Sequence, residues 1–272
     1  MLSQTPLISP IGQPFIIIPK IDSSNNYAMA LVQSGGAEHG TVYFAREQSA
    51  GKGQRGKAWI SRPNENVIMS AIIQPDSLLL DQQFQLSVAV ALACYDFFKT
   101  YASDEFTRIK WPNDLYWQDR KAGGILIESG VGSRESVPAF AGMTGSRESG
   151  QVQWLWAVVG IGININQTEF EEFSTKAVSL KQITGKDWDA VELAKELCTC
   201  LEKRYRQLIE GSALDQLEEY NSHLYKLNDT VRLKKANAVF ETTIISVSPK
   251  GKLITRDTLE REFDWGEVEF VG

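Results

Sequence analysis

The run Lys110-Trp111-Pro112-Asn113-Asp114, followed seven residues after Asp114 by Lys121-Ala122-Gly123-Gly124-Ile125, sets two lysines, an Asn–Asp pair and a glycine pair in a stretch that otherwise reads as buried β-structure. Charges are tolerated in such surroundings where a partner offsets their desolvation, and an anionic ligand is the obvious candidate. Lys121 follows Asp119-Arg120 in what reads as a tight turn, with Gly123 and Gly124 leaving its surroundings open. A lysine placed over a carboxylate steadies the charge that moves when that oxygen attacks a phosphate. Lys110 and Asp114 are separated by a Pro–Asn turn, so they need not face each other as they would on a helix. That turn puts Asn113 and Asp114 at a strand end, a common place for residues that meet a ligand or a magnesium ion. Glu128, on the strand that follows, reads as the partner of a basic residue.

A second stretch adds positive charge. Between Arg46 and Arg62 stand Arg46, Lys52, Arg55, Lys57 and Arg62 against the single acid Glu47. Gly51-Lys52-Gly53-Gln54-Arg55-Gly56 matches G-x-G-x-x-G, but a dinucleotide fingerprint requires a helix to open directly after it. Here Lys57-Ala58-Trp59-Ile60-Ser61-Arg62-Pro63 follows, which leads to a strand. The surviving reading is a loop whose backbone N–H groups and cations cradle phosphate. Gly160-Ile161-Gly162-Ile163-Asn164 ends a long apolar run, and glycines inside a strand signal another group approaching closely. Asn164 there can offer an amide to a purine edge, donating and accepting at once.

The elements that must hold these residues follow from periodicity. Strands are expected at Phe15–Pro19, Thr41–Arg46, Asn66–Gln74, Arg108–Trp111, Leu115–Trp117, Gly124–Glu128 and Trp154–Ile163. Asp22-Ser23-Ser24-Asn25 supplies N-cap chemistry for a helix to about Val32, closed by Gly35-Gly36. A long helix is expected over Gln82–Tyr101, with Phe84, Val88, Leu92, Tyr95 and Phe98 as its core stripe. Two more are expected near Ala190–Ile209 and Leu214–Leu224. After Asn228-Asp229 only short alternating strands remain, which predicts a small β-barrel of the SH3-like type. The division is therefore 1–227 and 228–272. Gly132-Ser133-Arg134-Glu135-Ser136 recurs at Gly145–Ser149, so 132–149 reads as a duplicated insertion in a surface hairpin loop.

Bulk properties narrow the class. The chain has 272 residues, 43% hydrophobic and 23% charged, which suits one sizeable domain and an appendage. Three cysteines without framework spacing predict a reducing, cytoplasmic setting, and Cys198-Thr199-Cys200 reads as part of an amphipathic helix. No apolar run approaches the ~20 residues of a membrane span, and Lys20 follows rather than precedes the first apolar stretch, unlike a signal peptide. The net charge of −6 argues against a general nucleic-acid binder.

Taken together, the Gly51–Trp59 loop, the Lys110–Asp114 and Lys121–Glu128 block, the Gly160–Asn164 segment and Ile21-Asp22-Ser23-Ser24-Asn25 resemble the biotin protein ligases, the biotin–[acetyl-CoA-carboxylase] ligase family, over essentially the whole chain. The resemblance implies an α+β catalytic domain related to the class II aminoacyl-tRNA synthetases, with an SH3-like C-terminal module. It implies that biotin and ATP, with Mg2+, give biotinyl-5′-AMP and pyrophosphate, after which a lysine of a biotin carboxyl carrier protein takes the biotin. On that resemblance Ser23, Ser24, Asn25, Gln48, Gly51, Lys52, Gly53 and Gln54 line the biotin site, with Lys121 on the reacting carboxylate as the catalytic residue and Gly124 beside it. Lys52 and Arg55 hold phosphates, Trp59 packs on the adenine, Lys110, Asn113 and Asp114 serve ATP and magnesium, and Asn164 meets the adenine edge. Gln54 stands where the family often has an arginine that helps retain the adenylate. About twenty residues precede Asp22, too few for the DNA-binding module of repressor members, so DNA is not an expected partner. Relatives that pair through a sheet edge leave a homodimer open. The competing readings are a lipoate–protein ligase and a non-catalytic biotin-binding regulator.

Overall fold

The computed structural model describes residues 9–75, 78–132, 153–170 and 176–271. Most of the duplicated 132–149 segment therefore lies outside the described residues.

Seven strands form one mixed sheet: Phe15–Ile18 (β1), Val42–Ala45 (β2), Asn66–Ile73 (β3), Thr107–Lys110 (β4), Asp114–Trp117 (β5), Arg120–Gly132 (β6) and Gln153–Asn164 (β7). Their spatial order is β1-β2-β3-β7-β6-β5-β4, antiparallel throughout except that β1 runs parallel to β2. β3, an interior strand beside the central β7, is buried at all eight positions.

Five helices lie among the described residues: Ser24–Ser34 (α1), Gln83–Ala102 (α2), Leu180–Thr184 (α3), Ala190–Ile209 (α4) and Ala213–Ser222 (α5). Val67, Met69, Ala71 and Ile73 point from β3 into the main core beneath α2 and α4, whereas Ile72 joins a smaller cluster with Ala28 of α1. The helices thus divide between the two faces of the sheet, and α1 leaves part of its own face uncovered. α1 is capped as its sequence implies: the Ser23 side chain accepts from Asn26 N, and Gly35 closes it at φ 78°. α2 differs from the expected one-sided stripe. Leu86, Val88 through Tyr95, Phe97 and Phe98 are all buried, so it is enclosed on most of its circumference. Alanines at 89, 91 and 93 let neighbours approach closely on the sides where the stripe reading expects solvent. α3 went unanticipated; its Ser179–Gln182 capping box was legible, but five residues carry no periodic signal.

Five further strands, Thr230–Lys235 (β8), Ala238–Val247 (β9), Leu253–Arg256 (β10), Glu260–Phe263 (β11) and Glu269–Val271 (β12), make a second, antiparallel sheet in the order β11-β10-β9-β8-β12. It is tied to the large unit at Trp111, whose indole N–H donates to Gly251 O at 2.9 Å, and at Asn221, whose side chain bonds Val247 N and O.

Arg204 on α4 joins three helices: it bonds Asp96 of α2 at 2.7 Å and both carboxylate oxygens of Glu219 of α5 at 2.6 Å. Its side chain is 8% exposed and that of Asp96 16%, so its removal strands Asp96 in a poorly solvated place, while Glu219, at 35%, keeps access to water. Arg204→Met is expected to lower unfolding free energy by about 3 kcal/mol in urea titration; a loss under half that size would show the triad to be solvent-screened.

Candidate functional site

The site is built on register. Directly opposed residues of antiparallel strands share a face. Pairing runs Ile68–Gly162 from β3 to β7, Gly162–Gly124 from β7 to β6, Gly124–Asp114 from β6 to β5, and Asp114–Lys110 from β5 to β4. One row across five strands therefore carries Ile68, Gly162, Gly124, Asp114 and Lys110 on the face that α1 leaves open. The next row carries Ser70, Gly160 and Leu126. Lys110 and Asp114, which the sequence does not oblige to face each other, are opposed across the turn.

Lys121 reaches this floor through an irregularity. Tyr116 pairs with Lys121 and Leu115 with Gly123, so Ala122 is an extra residue in β6. Strict alternation would send Lys121 and Gly124 to opposite faces; the bulge brings them to one. Lys121 therefore lies in a strand behind the Gln118–Asp119 turn, and not in the turn itself. Its ammonium meets Asp114 Oδ1 at 2.7 Å, each side chain being 25% exposed. Its backbone is fixed on both sides: Lys121 N donates to Lys176 O at 2.8 Å and Val178 N donates to Lys121 O at 2.9 Å. The Asn164 amide donates to Lys121 O at 3.3 Å and to Val178 O at 3.2 Å. Both N–H groups of Asn164 are thus committed to main chain, which corrects the expectation that it donates to a purine edge. Asn113 likewise spends its amide on Ile125 O, locking the turn.

The glycine loop folds over this floor as a narrow ribbon. Trp59 N donates to Gly51 O at 2.8 Å and Gly53 N to Lys57 O at 2.7 Å, with a single 3-10 turn at Gln54–Gly56 in place of a helix. Gln54 Nε2 donates to Ile125 O at 3.1 Å, pinning the loop tip to β6. Trp59 lies flat against Gly162, where a Cβ would stand 2.4 Å from the indole. Gly160 is pressed in the same way by the Asn25 amide, 2.2 Å from the place of a Cβ. These are the close approaches that the glycines of β7 foretold. The Trp59 indole N–H is buried with no hydrogen-bond partner among the described residues.

At the α1 end lies a polar chain of which only Ser70 is absent from the sequence reading. Ser24 N and Ser24 Oγ donate to Gln48 Oε1 at 2.7 and 3.0 Å. The Ser70 hydroxyl sits within bonding distance of Ser24 Oγ and of Asn25 Oδ1. Asn25 Nδ2 donates to Glu128 Oε2 at 2.9 Å, and Glu128 Oε1 lies 3.6 Å from Lys52 Nζ. Glu128 does pair with a base, as expected, while holding α1 to β6. Ser70, on an apolar strand, offered no signal except its own polarity.

Every residue singled out as a site residue except buried Gly51 lines one cavity of about 990 Å³. Its walls carry Lys52, Arg55, Lys57, Arg62, Lys110 and Lys121 against Asp114, Glu169 and Glu269, a cationic surplus on a protein of net charge −6. Such a cleft concentrates anions. Trp265, in the turn between β11 and β12, and Phe270 of β12 also line it. They are separated by more than a hundred residues from the motif and belong to none. Among the described residues no group of three His, Cys, Asp or Glu side chains is placed to hold a metal. A divalent cation here would have Asp114 as its carboxylate and take other ligands from phosphate and water, which is how magnesium is usually held.

The model of the biotin/lipoate A/B protein ligase family matches residues 17–139. A protein of Bacillus subtilis named bifunctional ligase/repressor BirA is 28% identical over 247 residues, covering 90% of this chain and 70% of its own. The biotin–[acetyl-CoA-carboxylase] ligase of Paracoccus denitrificans is 28% identical over 262 residues, covering 94% of this chain and all of its own. The fold is shared with the solved biotin protein ligase from Aquifex aeolicus in complex with biotin and ATP, at 24% identity, TM-score 0.73, and coverage of 94% of this chain and 98% of that one.

Gly162→Ala forces the indole of Trp59 off the floor. If Trp59 is the surface on which an adenine stacks, ATP affinity measured by calorimetry falls about tenfold, the scale of one lost base–aromatic stack. Unchanged affinity in a folded variant would remove Trp59 from the nucleotide site.

Proposed function

From the match of residues 17–139 to the biotin/lipoate A/B protein ligase family model and the likeness to biotin–[acetyl-CoA-carboxylase] ligases, we propose that the cavity is the active site of a biotin–[acetyl-CoA-carboxylase] ligase. The biotin carboxylate attacks the α-phosphorus of ATP; a C–O–P linkage forms, the bond from the α-phosphorus to the bridging oxygen breaks, and pyrophosphate leaves. The ε-amine of a lysine on a biotin carboxyl carrier protein then attacks the carbonyl carbon, an amide forms, and AMP departs as the amine gives up its proton. The observation that carries the reading is the meeting, in one cationic cavity, of the Lys121–Asp114 pair with the glycine loop.

Residue roles follow from position. Lys121, rigid in its backbone, is assigned to the biotin carboxylate; its ammonium reduces the repulsion between that carboxylate and the phosphates, and steadies the oxygens as they change charge. Asp114 holds this ammonium until the substrate anion shares it. Gln48, Ser23, Ser24 and Asn25, with Gly51 and Gly53 giving shape, form the deep end for biotin. Lys52 and Arg55 reach phosphate from the loop, Lys110 from the floor, and Trp59 covers the base. Asp114 would supply the carboxylate that holds a magnesium ion, which would screen the polyphosphate and stabilise the leaving pyrophosphate when bound. The catalytic unit spans 1–227 and the SH3-like module 228–272. A cytoplasmic location suits the three free cysteines, and among the described residues no helix is long and apolar enough to cross a membrane. Homodimers, if formed, would pair along β1, the sheet edge where Ile16 and Ile17 are 39% and 41% exposed.

The test is ATP-dependent transfer of biotin to a carrier domain. Wild-type protein is expected to biotinylate the acceptor, and Lys121→Ala to lose at least ~100-fold in rate, the scale of one removed charge-stabilising group. Absence of transfer from folded wild-type protein would refute the assignment.

A further inference from the structure

Four lysines stand on the floor and loop of the cavity, Lys57 being exposed on the loop, and two of the others have carboxylate partners: Lys121 with Asp114 at 2.7 Å and Lys52 with Glu128 at 3.6 Å. Lys110 has none within ion-pair distance among the described residues. Its ammonium is instead surrounded by rings, 4.7 Å from the centroid of Tyr116, 5.5 Å from Tyr225 and 4.7 Å from Phe270, with one hydrogen bond, 3.1 Å, to the Tyr116 hydroxyl. Burial pushes its pKa below the ordinary lysine value, against the raising influence of Asp114. A half-buried cation without a counter-charge is costly unless something offsets the lost water.

We propose that these three rings form an aromatic cage that holds the Lys110 ammonium in the cavity as an uncompensated charge for the terminal phosphates of ATP, with Phe270 of the C-terminal sheet as a positioning residue. Ring faces attract a cation through their quadrupoles but carry no net charge. They therefore stabilise the ammonium without neutralising it, whereas a carboxylate at the same place would cancel the field that an incoming polyphosphate experiences. The walls of the cage come from three separate parts of the chain: Tyr116 from β5, Tyr225 from the segment after α5, and Phe270 from β12. Tyr225 is itself fixed, its hydroxyl donating to Asp119 Oδ1 at 2.8 Å and its ring lying 4.9 Å from that of Tyr116. Phe270 is held in register opposite Leu233 of β8, which is buried. The C-terminal sheet is thereby a component of the nucleotide site, and the cage is complete only while β12 stays paired.

The inference rests on Lys110 serving ATP, and the experiment separates the two. ATP and biotin affinities are measured by calorimetry for the full chain and for Phe270→Leu, Phe270→Trp, Lys110→Met and the Lys110→Met/Phe270→Leu pair. Phe270→Leu is expected to weaken ATP binding about fivefold to thirtyfold and to leave biotin binding unchanged. Phe270→Trp, which restores a ring face, should recover most of the loss. In the Lys110→Met background, Phe270→Leu should have little further effect, because its partner is gone. If Lys110→Met leaves ATP affinity unaltered, the assignment of Lys110 to the nucleotide fails, and the cage with it. If Lys110→Met weakens ATP binding but Phe270→Leu does not, or if Phe270→Leu costs as much in the Lys110→Met background as alone, the cage is overturned and the assignment of Lys110 stands.

Discussion

The ion pair between Lys121 and Asp114 depends on a single extra residue in a strand, and the rest of the site is arranged around that pair. Without the bulge at Ala122, Lys121 and Gly124 would point to opposite faces and the ammonium would leave the floor. With it, the row Ile68, Gly162, Gly124, Asp114 and Lys110 becomes a platform whose second and third positions carry no side chain. A substrate can lie against backbone there, and Trp59 already does so over Gly162. The clamp on the Lys121 main chain from residues 176 and 178 keeps the bulge from relaxing.

Electrostatics explains how a protein of net charge −6 can bind polyanions. The cations are concentrated around one cavity, and their mutual repulsion is met locally in different ways. Lys121 and Lys52 have acids, Lys110 has aromatic rings, and Arg62 has Glu169 at the rim. Each arrangement yields differently to an arriving phosphate. An ion pair must be shared or broken, but a ring-held cation needs no exchange of partner.

Much of this was legible in the sequence, for identifiable reasons. The Lys110–Asp114 and Lys121–Gly124 residues were conspicuous because charge and glycine are out of place in strand-like surroundings. Gly160 and Gly162 correctly announced close approach, since nothing else explains glycine in a fully buried strand. Other features were invisible. The bulge at Ala122 leaves no compositional trace, so Lys121 was read into a turn. Asn164 was expected at a base edge, but the neighbouring strand ends draw its amide to Lys121 O and Val178 O, a contact set by tertiary packing alone. Ser70 and Phe270 enter the site from an apolar strand and from the second sheet, where no local pattern distinguishes them from core residues.

On the proposed mechanism, biotin's carboxylate and the α-phosphate of ATP react in this cavity before any acceptor protein is involved. Exchange of labelled pyrophosphate into ATP reports that step alone. With wild-type protein and magnesium, label should enter ATP only when biotin is present, and with no carrier protein added. Exchange that proceeds equally without biotin, or no exchange from folded protein that binds both substrates, would contradict it.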